Sequence, residues 1–213
     1  ISLFSVLNNL TNISFEPEYA SICGITKQDM LDNFMPEIER MASENGWTVD
    51  ETLARLKAYY DGYHFSGKNM VDVYNPFSLV NALYQRDLKS YWAFSGSTSM
   101  LPKFVGDMEI HLNDFDHCRI DRVTLESSDV TGGGPELFLY QSGYLTIKSA
   151  DEFGYYLGMP NEEVRQALNA MVLPALTLRK QGETVSLQAS LLYQLGTGRL
   201  DEAKKSMRAL IAD

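Results

Sequence analysis

The chain is poor in cysteine and in long apolar runs, and each shortage excludes a class of protein. Its two cysteines, Cys23 and Cys118, lie far apart and in no paired pattern. A disulfide framework is therefore excluded, and the reduced interior of a cell is favoured. No apolar run approaches the roughly 20 residues needed to span a bilayer, and no basic-then-apolar signal peptide is visible. We expect a cytoplasmic protein with no membrane partner.

Basic charge is also scarce, because 28 acidic side chains face 18 basic ones and the formal net charge is −10. Binding to a phosphate backbone by bulk electrostatics needs a basic face, so charge does not support a nucleic-acid partner. The net charge does not exclude a local basic patch. Apolar residues make up 45% of the 213 residues, which predicts a packed core rather than disorder.

Capping signals mark the predicted helix boundaries. A Thr or Asn at the N-cap accepts a backbone N–H, an acidic residue three positions on completes a capping box, and glycine ends a helix. A proline at the first helical position has a fixed backbone φ that is close to the helical value. In chain order the signals are Thr26 with Asp29, Gly46, Thr48 with Glu51, Asn75 with Pro76, Gly143 and Asn161.

Apolar residues recur at helical spacing behind these caps, and each set is predicted to form a buried face. The sets are Met30, Phe34, Ile38 and Met41; Leu53, Leu56 and Tyr60; Phe77, Val80 and Leu83 or Tyr84; and Val164, Leu168 and Met171. Two strands are predicted at Tyr144–Lys148 and Tyr155–Gly158. A last helical hairpin carries apolar stripes at Leu187, Leu191 and Leu195 and at Leu200, Met207 and Leu210.

These signals predict a mainly α fold with small β elements, of the α+β class. The run "ISLFSVL" at the start resembles a buried strand, and its abrupt beginning suggests a piece of something longer. We predict four segments: a strand and loop at 1–25, a helical region at 26–128, a winged-helix-like module of helix, β-hairpin and helix at 129–180, and a helical hairpin at 181–213.

The loop "YYDGYHFSGKNMVDVYNPFSL" lies between two predicted helices and is the most unusual stretch of the chain. Its aromatic residues combine large buried area with polar tips, so we predict an aromatic cluster that holds the loop in place. Asp61 and Asn75 are predicted to bind backbone amides. An alternative is that His64 and Asp61 form a general-base pair in a self-contained hydrolase.

Other polar stretches carry weaker signals. The stretch "SGKN" lacks a hydroxyl after Lys68 and a preceding strand, so a tight turn is favoured over a phosphate loop. The stretch "TGGGP" is interpreted as a linker into a helix. The residues of "HLNDFDHC" are metal-binding types, namely His111, Asp114, Asp116, His117 and Cys118. Their spacing matches no standard site, so a polar turn is favoured and no metal is predicted.

Several of these stretches resemble a known family when they are taken together. The series "YYDGYHFS", "VYNPFSLVNAL" and "YWAFSGS", with "LYQSGYLTIK" and "YYLGMPNEEVRQAL" further on, is similar to the AAA-ATPase-like family of bacterial proteins. These proteins are abundant in Bacteroides-type genomes and often carry a C-terminal PD-(D/E)xK nuclease-like domain. The matches follow the expected order over most of the chain.

The resemblance implies that this chain is the C-terminal part of the ATPase-like region, without its Walker A and B motifs. Asn8 and Asn9 would then lie near the terminal phosphate of a nucleotide, although Val6 stands where the family has glycine. No catalytic residue is assigned. The signature residues of unknown role are Asp61, Gly62, Tyr63, His64, Phe65, Tyr74, Asn75, Pro76 and Trp92.

The resulting hypothesis is a non-catalytic lid and accessory segment that binds no cofactor itself. Its parent would bind ATP and Mg²⁺, and its partners would be the remaining ATPase core and the nuclease-like domain. The alternative is a nucleic-acid or protein binding module built on the winged-helix-like part.

Overall fold

The computed structural model describes residues 13–92, 118–126, 134–176 and 181–211, and it is a mainly α structure with two small antiparallel sheets. A 3₁₀ turn at Pro17–Tyr19 precedes the first strand. The helices are α1 (Lys27–Asn45), α2 (Val49–Tyr60), α3 (Pro76–Gln85), α4 (Arg122–Glu126), α5 (Gly134–Gln141), α6 (Glu162–Leu176), α7 (Gln181–Gly196) and α8 (Leu200–Ile211). The strands are β1 (Ile25–Thr26), β2 (Val73–Tyr74), β3 (Cys118–Asp121), β4 (Thr146–Ala150) and β5 (Gly154–Gly158). The mainly α, α+β prediction is confirmed.

The predicted caps of the first three helices are confirmed. Thr26 and Thr48 each accept the N–H of the residue three positions on, and the acidic side chain there accepts the cap's own N–H. Gly46 ends α1 with a left-handed φ of 69°. Asn75 accepts the Ser78 N–H at the start of α3. Short local signals decide these boundaries, which is why sequence alone could place them.

Helices α1, α2 and α3 share one apolar core. Met30, Ile38 and Met41 from α1 meet Leu56 and Tyr60 from α2, and all five side chains are fully buried. Phe34 and Leu53 are packed against this core and are partly buried. The predicted buried faces of α1 and α2 are therefore confirmed.

The predicted face of α3 is wrong in part. Leu79, Ala82 and Leu83 are buried. Phe77 and Val80, which the spacing placed inside, are 50% and 45% exposed. Of the two alternatives for the last position, Leu83 is the buried one, and Tyr84 is 81% exposed. The helix is apolar around most of its circumference, so spacing does not select a face.

The three-stranded sheet has the order β3-β5-β4, and every pairing is antiparallel. The predicted β4–β5 hairpin is confirmed, but β4 begins at Thr146 rather than at Tyr144. The reason is that the N–H groups of Tyr144 and Leu145 bond to the Leu139 carbonyl and close the end of α5. Strand β3 also belongs to this sheet, because it pairs with β5. It precedes residue 128, where we predicted that the helical region ends and the winged-helix-like module begins.

The chain divides into two compact units. Among the described residues, the first unit comprises 13–92, 118–126 and 134–165, and the second comprises 166–176 and 181–211. In the second unit, α7 and α8 form the predicted helical hairpin, with a turn at Gly198. The predicted apolar stripes are wrong in part, because Leu195, Leu200 and Met207 are 45%, 60% and 45% exposed. The facing surfaces hold a polar contact instead, from Ser206 Oγ to Gln194 Oε1 at 2.8 Å.

Candidate functional site: the Asp61–Phe65 loop

The Asp61–Phe65 loop leaves the end of α2 and runs between the three-helix core and the three-stranded sheet, all within the first unit. Asp61 has an extended backbone, and Gly62 follows with a φ of 90°. A Cβ on Gly62 would stand 2.5 Å from the Pro160 carbonyl oxygen, so the chain approaches too closely for any side chain. Tyr63 then pairs with Val73 through two backbone hydrogen bonds.

His64 is the most connected residue of the loop. Its backbone N–H donates to Thr146 Oγ1 over 2.7 Å, and the same hydroxyl donates to the His64 carbonyl over 2.9 Å. Its ring Nδ1 lies 2.9 Å from the Ile147 carbonyl, and its Nε2 lies 2.6 Å from Asp72 Oδ1. These contacts join the loop to β4 across more than 80 residues of sequence.

Both partners of the His64 ring are groups that accept hydrogen bonds, namely the Ile147 carbonyl and the Asp72 carboxylate. Partial burial acts to raise the pKa of Asp72, but hydrogen bonds from His64 and Lys57 outweigh it and hold that pKa below its ordinary value. Asp72 is therefore the acidic partner of His64 in this loop.

Two further charged side chains lie beside the His64–Asp72 contact. Lys57 Nζ lies 3.2 Å from Asp72 Oδ2 and 3.8 Å from Asp61 Oδ2. Burial raises the pKa of Asp61, and a backbone hydrogen bond from Gly62 acts against this rise. That backbone contact agrees with the predicted amide-binding role of Asp61, whereas Oδ1 has no hydrogen-bond partner among the described residues. Because both ring nitrogens of His64 are engaged elsewhere, the Asp61–His64 base pair is not formed.

Aromatic residues close the loop from both sides, as the sequence predicted. Tyr63 OH donates to the Gly143 carbonyl over 3.3 Å, and burial raises the pKa of this tyrosine. Tyr74 is fully buried in the three-helix core. Trp92 meets Tyr144 edge to face at 4.8 Å. Phe65 is half-buried.

Glu163 is a functional candidate that sequence reasoning missed. Its position in the first turn of α6 suggests an exposed acid, yet its side chain is fully buried. Its Oε1 accepts the Trp92 N–H over 2.8 Å and the Ser78 hydroxyl over 3.0 Å. Burial raises the pKa of Glu163, and Oε2 has no partner in the described part of the chain. The carboxylate ties α3 and Trp92 to the start of α6.

Gly62, Gly67 and Lys68 stand at the spacing G-x-x-x-x-G-K of a phosphate-binding loop, with Asn69 in place of its hydroxyl residue. In the structure this stretch follows helix α2 and leads to strand β2, whereas a phosphate-binding loop follows a strand and leads into a helix. The tight-turn interpretation fits this geometry better than a phosphate loop.

The remaining sequence candidates are distributed as follows. Asn8, Asn9 and residues 111–117 of the metal candidate lie outside the described residues. Cys118 begins β3, and its thiol lies 3.8 Å from the Leu157 carbonyl. Within the described ranges, no three His, Cys, Asp or Glu side chains are placed to hold a metal ion. No helix there combines the length and apolarity that crossing a membrane requires.

Comparison with known proteins finds a relative but no function. The chain is 31% identical over 197 residues to the "Uncharacterized protein in vnfD 5'region" of Azotobacter chroococcum mcd 1. The match covers 88% of this chain and 36% of that protein, so the chain spans about a third of the relative's length. No family model matches the chain. No solved structure matches it.

Proposed function

We propose that this chain is a non-catalytic coupling segment of a larger cytoplasmic AAA-like ATPase. In this proposal the parent binds ATP and Mg²⁺, and the segment relays the nucleotide state to a nuclease-like effector. The observation that supports it best is the Asp61–Phe65 loop. The signature residues of this loop are largely buried, and they connect the core of α1, α2 and α3 to the three-stranded sheet.

The contacts of the Asp61–Phe65 loop suit a segment that transmits a conformational change. Coupling between distant sites needs packed elements that move together, and buried hydrogen bonds resist gradual slippage. Thr146 contributes both a donor and an acceptor to the His64 backbone, and Asn161 Nδ2 donates to the Asp61 carbonyl over 2.9 Å. A displacement of α2 would therefore carry β4 and the start of α6 with it.

The test uses the longer parent protein and the variant Thr146→Val. Valine keeps the shape of threonine but removes the hydroxyl that serves His64. With Mg²⁺ present throughout, we expect ATP turnover to persist while DNA cleavage loses its dependence on ATP. Thr146→Ser keeps the hydroxyl and is the matched control, in which both activities and their coupling should be retained.

Two results would contradict the proposal. One is a parent that binds no ATP, measured by calorimetry with Mg²⁺ present. The other is a folded Thr146→Val parent in which cleavage follows ATP as it does in the unaltered protein. Circular dichroism melts of both variants establish that each is folded at the assay temperature.

The alternative of a nucleic-acid binding module has one supporting observation. Phe153 at the tip of the β4–β5 hairpin is 66% exposed, and the Arg119 guanidinium lies 5.9 Å from its ring and 5.7 Å from that of Tyr156. Such a surface suits stacking with unpaired bases. The neighbouring Asp121 and Asp151 oppose it. A salt-sensitive shift of labelled single-stranded DNA, lost in Phe153→Ala, would favour this function.

A further inference from the structure

A cleft of about 490 Å³ lies on the first unit, apart from the His64 pair. Its walls are the segment Phe15–Pro17, the turn Gly67–Lys68, helix α4 and the end of β4. Sites for small molecules usually measure about 300–1,000 Å³ and combine aromatic walls with a few placed polar groups. Both features are present here.

The aromatic wall is formed by Phe15 and Tyr155, whose ring centroids lie 6.0 Å apart. Arg122 places its guanidinium 5.2 Å from the Tyr155 ring. The Tyr155 hydroxyl donates to Glu126 Oε1 over 2.8 Å. Contacts on two sides therefore hold the aromatic wall in place, and an apolar group can pack against its rings.

The turn that carries Lys68 is also fixed in place. Ser66 Oγ donates to the Phe15 carbonyl over 3.0 Å, and Asn69 Nδ2 donates to the Pro17 carbonyl over 2.8 Å. A Cβ on Gly67 would stand 2.7 Å from Ala150 Cβ, so only glycine lets the turn approach the sheet this closely. These contacts hold the turn against the segment Phe15–Pro17 and against the end of β4.

Most charges of the cleft already have partners. Glu126 is bonded by Tyr155 and lies 3.9 Å from Arg122. Asp151 accepts two turn N–H groups, the Tyr156 hydroxyl and a contact from Arg119. Lys68 and Glu16 are different, because neither side chain makes an ion pair or hydrogen bond with the described residues. The cleft thus presents one positive and one negative charge without a partner among the described residues, on two neighbouring segments of its wall.

We propose that this cleft binds a small zwitterion of the amino-acid or short-peptide class. Lys68 binds the carboxylate of the ligand, Glu16 binds its ammonium group, and an apolar side chain packs on Phe15 and Tyr155. A ligand with a single charge leaves one of the two protein charges without a partner, so the two charges together set the selectivity.

The experiment titrates the full chain with three forms of one probe and follows binding by calorimetry and amide NMR. The probes are the dipeptide alanyl-phenylalanine, its N-acetyl form and its C-terminal amide. We expect the free dipeptide to bind with a dissociation constant below about 1 mM. Each capped form should bind about tenfold more weakly, because one charged hydrogen bond is lost.

Two variants assign the charges. Lys68→Met should remove the preference for the free dipeptide over its amide while keeping the preference over the acetyl form. Glu16→Gln should do the reverse. Lys27→Met and Glu18→Gln are exposed substitutions of the same charge outside the cleft. Both control variants should bind all three probes as the unaltered chain does.

The proposal is overturned if the free dipeptide gives no binding at about 10 mM. It is also overturned if the acetyl form binds as tightly as the free dipeptide, which would indicate a site for anions only. Equal effects of the cleft variants and their controls would show that net charge rather than the cleft governs binding.

Discussion

His64 lies between two hydrogen-bond acceptors, the Ile147 carbonyl and the Asp72 carboxylate. The variant Asp72→Asn removes the charge that faces His64 Nε2 and Lys57 Nζ, and it should cost about 1 kcal/mol because Asp72 is 44% exposed and solvent screens these contacts. The folded-state pKa of Asp72 is depressed, so its contribution is present above the unfolded pKa and is lost as pH falls through the folded value.

The measurement is urea unfolding of both proteins between about pH 3 and pH 7. The difference between them should be constant near neutrality and should shrink below about pH 4. Asp32→Asn on the exposed side of α1 is the control. A difference that does not shrink below about pH 4 would contradict the depressed pKa of Asp72.

The contribution of Glu163 to stability depends on pH in the opposite direction from that of Asp72. Burial raises its pKa, so its favourable contribution is complete below the unfolded pKa and is lost as pH rises through the folded value. Glu163→Gln keeps the oxygen that serves Ser78 and Trp92 but has no charge to bury. We expect the variant to equal the unaltered chain near pH 4 and to be about 1 kcal/mol more stable at pH 7.

Unfolding titrations at both pH values test this expectation. Glu162→Gln, on the exposed neighbour in the same helical turn, should show no such gain. A loss of stability in Glu163→Gln that is larger at pH 7 than at pH 4 would show that the charge itself is stabilising.

At the scale of elements, the turn from α2 into the loop depends on one glycine. Gly62→Ala places a methyl group against the Pro160 carbonyl and forces a φ of 90° on an L-residue. We expect a loss of about 3 kcal/mol or more. Gly46→Ala is the control, because its φ is also positive but nothing lies within 4 Å of the added Cβ.

Gly46→Ala should therefore cost only about 1 kcal/mol, measured by urea unfolding. Equal losses in the two variants would mean that the close approach to Pro160 contributes nothing. In Gly62→Ala, hydrogen exchange at the His64 amide should also increase, since the loop is displaced from Thr146.

At the scale of the whole molecule, the proposed parent needs parts that this chain does not carry. The only glycine and lysine spacing that resembles a phosphate loop departs from it at Asn69 and lies after a helix. We expect the purified 213-residue chain to hydrolyse no ATP. A rate of phosphate release that scales with chain concentration and persists through further purification would contradict this.

Sequence reasoning succeeded for helix ends, which depend on a few neighbouring residues. Both capping boxes, the glycine end of α1 and the Asn75–Pro76 start of α3 depend on neighbours three or four positions away. It failed on the inward face of α3 because that helix offers apolar residues on most sides. Only packing against α1 and α2 chooses among them.

The candidate site shows the same division. The sequence singled out the loop as an aromatic cluster, but it offered Asp61 as the acid nearest to His64. The acid that pairs with His64 is Asp72, eight residues on, and Glu163 joins from 85 residues beyond Ser78. No spacing rule connects such positions, because the turn of the loop and the sheet bring them together.

The amino-acid sequence by itself determined the composition class, the helix ends and the existence of the hairpins. The reason is that capping, turn formation and apolar spacing act over one or two turns of chain. Only the tertiary structure decided which side of each helix is buried, which acid meets His64 and which charges are left free in the cleft. Those outcomes depend on long-range packing, where the burial of one group is set by elements far away in the chain.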